Sequence, residues 1–483
     1  MPTVGLLDLS GIQTAIFRSN KLPEIASASE VIEQLSAPGG LFAKVAGNKL
    51  LVAAGGNLAV TGSNDDEVST VLKEVQYQLL KCYTGLSAVT AIANYNEGQL
   101  LQGYQEALKH LERRKFTTPR PISVQHPGWQ QQSSWSQVPD PDSNSTEHRL
   151  FGERNLDYVI CEIQRGQGDI TIPEKTDLMA VVSIDGLSMG KRILHWLKTA
   201  KEHAISDAQF MTELREWSKS VRDRWASAWD VATLAINTRF ESKEWKHPYQ
   251  NRSLHNRGFH PYRKIYQGGD DLSFVCDAHI AMAMAKRLIC ELEKPDKDVP
   301  ADFQNLTFSA GILYVNNKFP FSRAVALSEK VRQSAKKYSA HVAAEDAYPP
   351  SSLNWWLNRQ GEMDIGAPAF KGATQRPYLL NGNSPNLNEL LNGTLPLLWK
   401  EFRESRGLLK SIIEAAQAGA DGEYVARALK LRSKSSNSIT DNPLFKLPAP
   451  FNTETGFVVG GSSTILLDAG ELYDLYFPLE EGE

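Results

Sequence analysis

Short apolar runs alternate along the chain with longer stretches in which apolar residues return every three or four positions. Val4–Leu9 is a run of the first kind, suited to a buried strand, and Ser10-Gly11 turns the chain into a helix. A second helix is predicted over Glu24–Leu35. Leu41–Val45 and Lys49–Ala53 then lead to a Gly55-Gly56-Asn57 turn and the strand-like Leu58–Thr61. Asp65-Asp66-Glu67 puts acids where a helix N-terminus favours them, and that helix runs to about Cys82 before a strand at Ser87–Tyr95. Residues 117–146 lose the pattern. Thr, Pro, Gln, Ser and Asn dominate, with too few apolar groups to offset ordering entropy, although Trp129 and Trp135 are suited to docking on a neighbour.

The pattern then repeats. Leu178–Ile184 is a strongly apolar strand signal ending at Asp185-Gly186, followed by a charged helical stretch over Met189–Ala235 and a His- and Arg-rich loop, Lys246–Arg263. Lys264–Gln267 and Leu272–Val275 flank Gly268-Gly269-Asp270-Asp271, a β-hairpin, because glycine accepts the positive φ of a tight turn. Asp277 caps a helix whose Ile280, Met284, Leu288 and Leu292 recur every four residues, and Leu306–Val315 and Ser322–Lys337 add a strand and a closing helix. Both units read strand–helix–strand–glycine turn–strand–helix–strand–helix, the split βαβ or ferredoxin-like order, as an internal duplication would.

The expected fold class is therefore α+β: two ferredoxin-like units in tandem plus a mainly helical C-terminal domain. The boundaries are 1–116 for the first unit, 117–150 for a linker or insert, and 151–345 for the second unit, which carries a helical insert over 189–263. Residues 346–483 form the accessory domain, with helix signals at Pro396–Ala418 and Gly422–Lys430.

Composition narrows the function. With 483 residues the chain is long enough for about three domains without disulfide or metal staples. Its net charge of −4 excludes a generally basic nucleic-acid coat. Cys82, Cys161, Cys276 and Cys290 stand far apart, which argues against a zinc ribbon or a secreted disulfide scaffold. No secretory leader and no apolar stretch of membrane-spanning length is found, so a cytoplasmic protein without a membrane partner is expected. His247, His255 and His260 lack metal-ligand spacing, and the insert residues Arg222, Arg224, Arg252 and Arg257 read more simply as a solvated face than as an RNA contact. Trp355-Trp356 reads as core or interface.

The chemistry concentrates on three carboxylates. Asp185 ends a strand and Asp270 and Asp271 sit on a hairpin, and in a split βαβ sheet these two elements are neighbours. Clustered carboxylates repel unless cations neutralise them, and magnesium suits oxygen ligands beside bound phosphates. Two such ions about 4 Å apart stabilise the attacking and leaving oxygens of nucleotidyl transfer. The glycines admit a triphosphate, and Lys336 and Lys337 on the closing helix supply positive charge. In the first unit Gly55-Gly56-Asn57-Leu58 takes the place of Gly-Gly-Asp-Asp, and Asp8 alone makes a poor metal site. That unit is expected to be a non-catalytic copy packed against the active one.

Leu7-Asp8-Leu9-Ser10-Gly11-Ile12-Gln13 with Ile16-Phe17, and Leu22–Ile25 through Ala28–Glu30, resemble the first palm domain of the CRISPR polymerase family. That family comprises the large subunits of type III CRISPR complexes and their stand-alone relatives. Ser183–Gly186, Gly268–Asp271, Phe308–Ile312, Phe319–Arg323 and Ala335–Lys337 resemble its second palm, and Arg376-Pro377-Tyr378 continues the likeness. The resemblance implies two palms that bind nucleoside triphosphates, most often ATP, at their interface. It further implies Mg2+- or Mn2+-dependent joining into cyclic oligonucleotide messengers that activate downstream effectors in antiviral defence. Under it, Asp185, Asp270 and Asp271 are metal ligands. Ser10, Gly11, Gly56, Asn57, Gly186, Gly268, Gly269, Ser309, Lys336 and Lys337 are nucleotide-facing.

This sequence carries no His-Asp pair of the family's nuclease domain and no cysteine over 116–150, where a zinc insert is common. Both departures favour a compact stand-alone synthase. The rivals are an idle RNA-binding scaffold subunit of a CRISPR-like complex and an enzyme of diguanylate-cyclase type.

Overall fold

The computed structural model describes residues 1–10, 12, 16, 29, 31–82, 86–117, 178–240, 244–250, 253–255, 261–344, 347–358, 361, 374–382, 386–403, 406–407, 409–410, 451–452, 457–458 and 465–479. The expected linker from 118 to 150 lies outside the described residues, as do 411–418 of the helix signal at Pro396–Ala418 and the whole of that at Gly422–Lys430.

The first unit is a four-stranded antiparallel sheet of β1 (Thr3–Ser10), β2 (Leu50–Ala54), β3 (Asn57–Gly62) and β4 (Ser87–Asn94), in the order β2-β3-β1-β4. Leu41–Ala46 is a helical turn, α1, and α2 (Asp65–Cys82) and α3 (Leu100–Thr117) complete the unit. The start of α2 is fixed locally. The Asn64 side chain accepts the Glu67 amide at 3.0 Å, and the Glu67 carboxylate accepts the Ser63 amide at 2.8 Å, a reciprocal cap.

The second unit begins with β5 (Leu178–Gly186), followed by α4 (Met189–Glu202) and α5 (Asp207–Phe240). The expected single helical stretch breaks between these two, where Ala204 takes a positive φ of 48°. A short ribbon of β6 (Glu244–Lys246) and β7 (Ser253–His255) leads to β8 (Tyr262–Gly268), β9 (Asp271–Asp277), α6 (Ala281–Leu292), β10 (Phe308–Asn316) and α7 (Phe321–Val342). The sheet order β8-β9-β5-β10 repeats that of the first unit.

The expected domain boundary at 345 falls inside this sheet. β11 (Ser352–Leu357) adds in parallel to β10, with α7 as the crossover, and β12 (Tyr378–Leu379) pairs with β11. A parallel neighbour is joined through a long connection, so nothing local in the sequence marks the pairing. Further on, α8 (Leu395–Phe402) and α9 (Ile465–Leu472) pack into the same core as β5, β9 and β10.

β5 is buried on both faces, which is why it reads as one continuous apolar run. Ala180, Val182 and Ile184 face the core shared with α5 and α6, whereas Met179 and Val181 join a cluster containing Leu7, Leu9, Leu58 and Val60 of the first unit. The two units thus share a hydrophobic core.

Over its described length the insert has two faces, an exposed one that carries Arg222 and a buried one that packs on the first unit. Trp196, Phe210 and Leu214 pack against Val4, Leu6 and Ala91 of the first sheet, with Trp196 and Phe210 stacked at 5.4 Å. The Asp207 carboxylate accepts the amides of Gly98 and Leu100 at 3.0 and 2.9 Å. Arg215 donates to the carbonyls of Leu51 and Leu50 on the edge strand β2. His247 is buried; it donates from Nε2 to the Tyr476 carbonyl at 3.2 Å while its Nδ1 accepts two backbone amides.

Candidate active site at the junction of the two units

Antiparallel pairing brings Asp185 on β5 directly opposite Asp271 on β9, and Gly268 pairs with Asp271 across the β8–β9 hairpin, leaving Gly269 and Asp270 as its two turn residues. The Gly186 amide donates to the Asp270 carbonyl at 3.0 Å, which draws the turn over the end of β5. A Cβ at Gly186 would stand 3.0 Å from the Asp270 Cβ, so glycine is what permits this approach. The three expected carboxylates are therefore neighbours.

Their electrostatics record that proximity. Burial, then the charge of Asp185, pushes Asp270 up to about 6, with Lys336 and Arg332 pulling the other way. Asp271 is pushed up to about 9 by burial, by Asp185 beside it and by the hydrogen bond the pair shares. Asp185 is turned towards α7. Its Oδ2 accepts from Lys336 Nζ at 2.6 Å and from Arg332 Nη1. Arg332 also donates to Glu329 Oε2 from Nε at 3.0 Å and from Nη2 at 2.6 Å. Among the described residues no three His, Cys, Asp or Glu side chains gather into a ready metal cage. The donor set, carboxylate oxygens brought together at one end of the sheet, suits a hard divalent ion.

The turns of the two units meet here. Gly55 has φ +57°, and a Cβ on it would lie 2.8 Å from the Gly269 nitrogen. Gly269 itself has φ +60°. Gly268 is crowded for another reason, because a Cβ there would collide with the Tyr266 hydroxyl. Tyr266 is buried in the shared core, and burial followed by the charges of Asp271 and Asp270 raises its phenol.

The other expected residues fall in distinct places. Ser309 is fully buried opposite Asp185, and its hydroxyl donates to the Asp185 carbonyl at 3.4 Å, bracing the strand from behind. Lys337 is exposed on α7, whereas Lys336 faces Asp185. Ser10 pairs its hydroxyl with that of Ser87, and the Gly56 amide donates to Ser36 at 3.3 Å. Asn57 is exposed opposite Asp8, whose carboxylate meets Lys115 at 3.1 Å. Gly11 lies outside the described residues, as do Arg252, Arg257 and His260. Sequence reasoning passed over Arg332, Glu329 and Tyr266. The spacing of Arg332, one turn before Lys336, was the available signal.

The fold is that of two ferredoxin-like palm units in tandem. Residues 178–343 match the family described as Cas10/Cmr2, second palm domain. Among solved structures the chain is similar to a Csm1–Csm4 cassette in complex with cA4, with TM-score 0.54 and 13% identity over 98% of this chain and 70% of that one. It is similar also to the cassette in complex with pppApA (TM-score 0.55, 13% identity, 98% and 69%) and to Csm1 of T. onnurineus (TM-score 0.54, 14% identity, 98% and 69%). Identities this low speak for the fold alone. No curated protein sequence matches. More particularly, then, the second palm is of the Cas10/Cmr2 kind, and the chain is similar to the large subunit of type III CRISPR complexes.

Proposed function

We propose that the chain is a nucleotidyl cyclase that joins nucleoside triphosphates, ATP first among them, into a cyclic oligonucleotide messenger for antiviral defence. The observation that carries this reading is the meeting of Asp185, Asp270 and Asp271 with two apposed glycine turns at the palm–palm junction. Solved complexes of Csm1–Csm4 with AMPPNP, pppApA and cA4 support an adenine nucleotide as substrate class.

Asp185, Asp270 and Asp271 would hold magnesium or manganese, which when bound activates a ribose hydroxyl and neutralises charge on the leaving pyrophosphate. The hydroxyl loses its proton to solvent as its oxygen bonds to the α-phosphorus of a second nucleotide, the bond from that phosphorus to the α–β bridging oxygen breaks, and pyrophosphate departs with the electron pair. Gly186 and Gly269 keep the backbone bare beside the carboxylates. Lys336, with 44% of its side chain exposed, swings from Asp185 to an incoming phosphate. The buried Ser309 and the Ser183–Ser328 hydroxyl pair hold β5 against β10 and α7 so that Asp185 keeps its place.

The test is pyrophosphate release from each of the four NTPs with Mg2+ or Mn2+, comparing the native chain with Asp270→Ala/Asp271→Ala and identifying products by mass. Metal-dependent release that the double variant loses is expected. The engagement of Asp185 by Arg332 and Lys336 favours a second reading, an idle scaffold. Salt-sensitive RNA binding without turnover in the native chain would establish that one.

A further inference from the structure

We propose that Arg332 is a resident counter-cation of Asp185 that a divalent ion must displace, so that this chain loads metal against a competitor of its own. The inference rests on the metal-dependent reading above and concerns how that site is regulated. Arg332 and Lys336 stand one turn apart on α7, and both donate to the same oxygen, Oδ2 of Asp185. Three nitrogens of the Arg332 guanidinium are committed at once, Nη1 to Asp185 and Nε and Nη2 to Glu329. Its side chain is only 10% exposed, against 44% for Lys336. Lys336 can therefore leave into solvent, whereas Arg332 is built in.

The backbone enforces this position. Gly311 on β10 lets α7 come so close that a Cβ there would collide with the Arg332 amide nitrogen and stand 2.6 Å from the Ser328 carbonyl oxygen. The Ser183 and Ser328 hydroxyls, 2.8 Å apart, tie β5 to α7 two residues before Asp185. Glu329 gives the guanidinium a second carboxylate to remain on when Asp185 turns away. Asp185, Glu329, Arg332 and Lys336 together carry no net charge, so protein groups alone neutralise the Asp185 carboxylate. A divalent ion that takes Asp185 breaks this balance. It must supply more attraction than a preorganised charge-assisted hydrogen bond.

The experiment is a titration of the full chain with Mn2+ alone, in the absence of nucleotide, counting bound ion by the loss of the free-Mn2+ resonance. Native protein, Arg332→Gln, Arg332→Lys and Asp271→Asn are compared, with the melting temperature of each taken before metal. Removing the competing charge in Arg332→Gln is expected to tighten Mn2+ binding about tenfold, while Asp271→Asn weakens it. Arg332→Lys, which keeps the charge but loses the two-sided fork, falls between. Should Arg332→Gln fail to fold, Arg332→Lys alone decides, by binding tighter than native. Unchanged or weaker binding in the folded variants overturns the counter-cation while leaving the metal site standing. Absence of any Asp271-dependent Mn2+ binding, in native and variants alike, removes the metal site and the counter-cation with it.

Discussion

The first and second palms differ at two turn positions while agreeing nearly everywhere around them. Each hairpin carries a register shift at the same place, between Leu50 and Val52 in the first and between Lys264 and Tyr266 in the second. In each, the residue after the strand-end aspartate donates to the turn, Leu9 to Gly56 and Gly186 to Asp270, both at 3.0 Å. In each, that aspartate pairs with a lysine fifteen residues after the first residue of the last helix, Lys115 after Leu100 and Lys336 after Phe321. Asp8 thus corresponds to Asp185, Gly56 to Asp270 and Asn57 to Asp271. The first palm shares the frame of the site and carries one carboxylate where the second carries three. Frame and chemistry are separable, and the frame survives because it is also the packing between the units.

The largest difference is expected when the equivalent residues Asp271 and Asn57 are substituted in turn. Asp271→Asn should lower turnover by at least about a hundredfold and leave the melting temperature equal or higher, since a buried carboxyl held against Asp185 disappears. Asn57→Ala should change turnover less than about threefold, and equal losses in the two would end the asymmetry.

Next in size is the shared turn contact. Gly55→Ala, strained at positive φ and pressed on the Gly269 backbone, should cost about 2 kcal/mol in denaturant unfolding and reduce turnover with it, although Gly55 belongs to the first palm.

A third test uses pH on metal-free protein. Asp270 and Asp271 hold protons in the folded state, up to about 6 and about 9, that the unfolded chain loses near an ordinary aspartate value of about 4. Their contribution to stability therefore falls as pH rises through that window. Urea midpoints at pH 5 and pH 9 should show a decline that Asp271→Asn flattens. The smallest effect is expected from Lys115→Ala, an exposed pair worth about 1 kcal/mol or less, whereas Lys336→Ala should raise KM for nucleotide about tenfold.

The strands, the hairpin and the three carboxylates were legible because each is written locally: an apolar run, a glycine pair, an aspartate at a strand end. What escaped depends on pairing across distance. Matching the two glycine pairs letter by letter sets Gly55-Gly56 against Gly268-Gly269, yet the register aligns them with Gly269 and Asp270. Ser352–Leu357 was assigned beyond the second palm because its partner strand lies a whole helix away. Arg332 escaped because it is Gly311, on another element, that draws α7 onto the sheet.

The doubly buried strand β5 has one more consequence. Its outer side chains complete the hydrophobic cluster of the first palm, whose buried residues join no cluster made of that palm alone. Cooperative unfolding should then span both copies in one transition, and a fragment cut between residues 117 and 178 should expose Leu7, Leu58 and Val60 to aggregation and proteolysis.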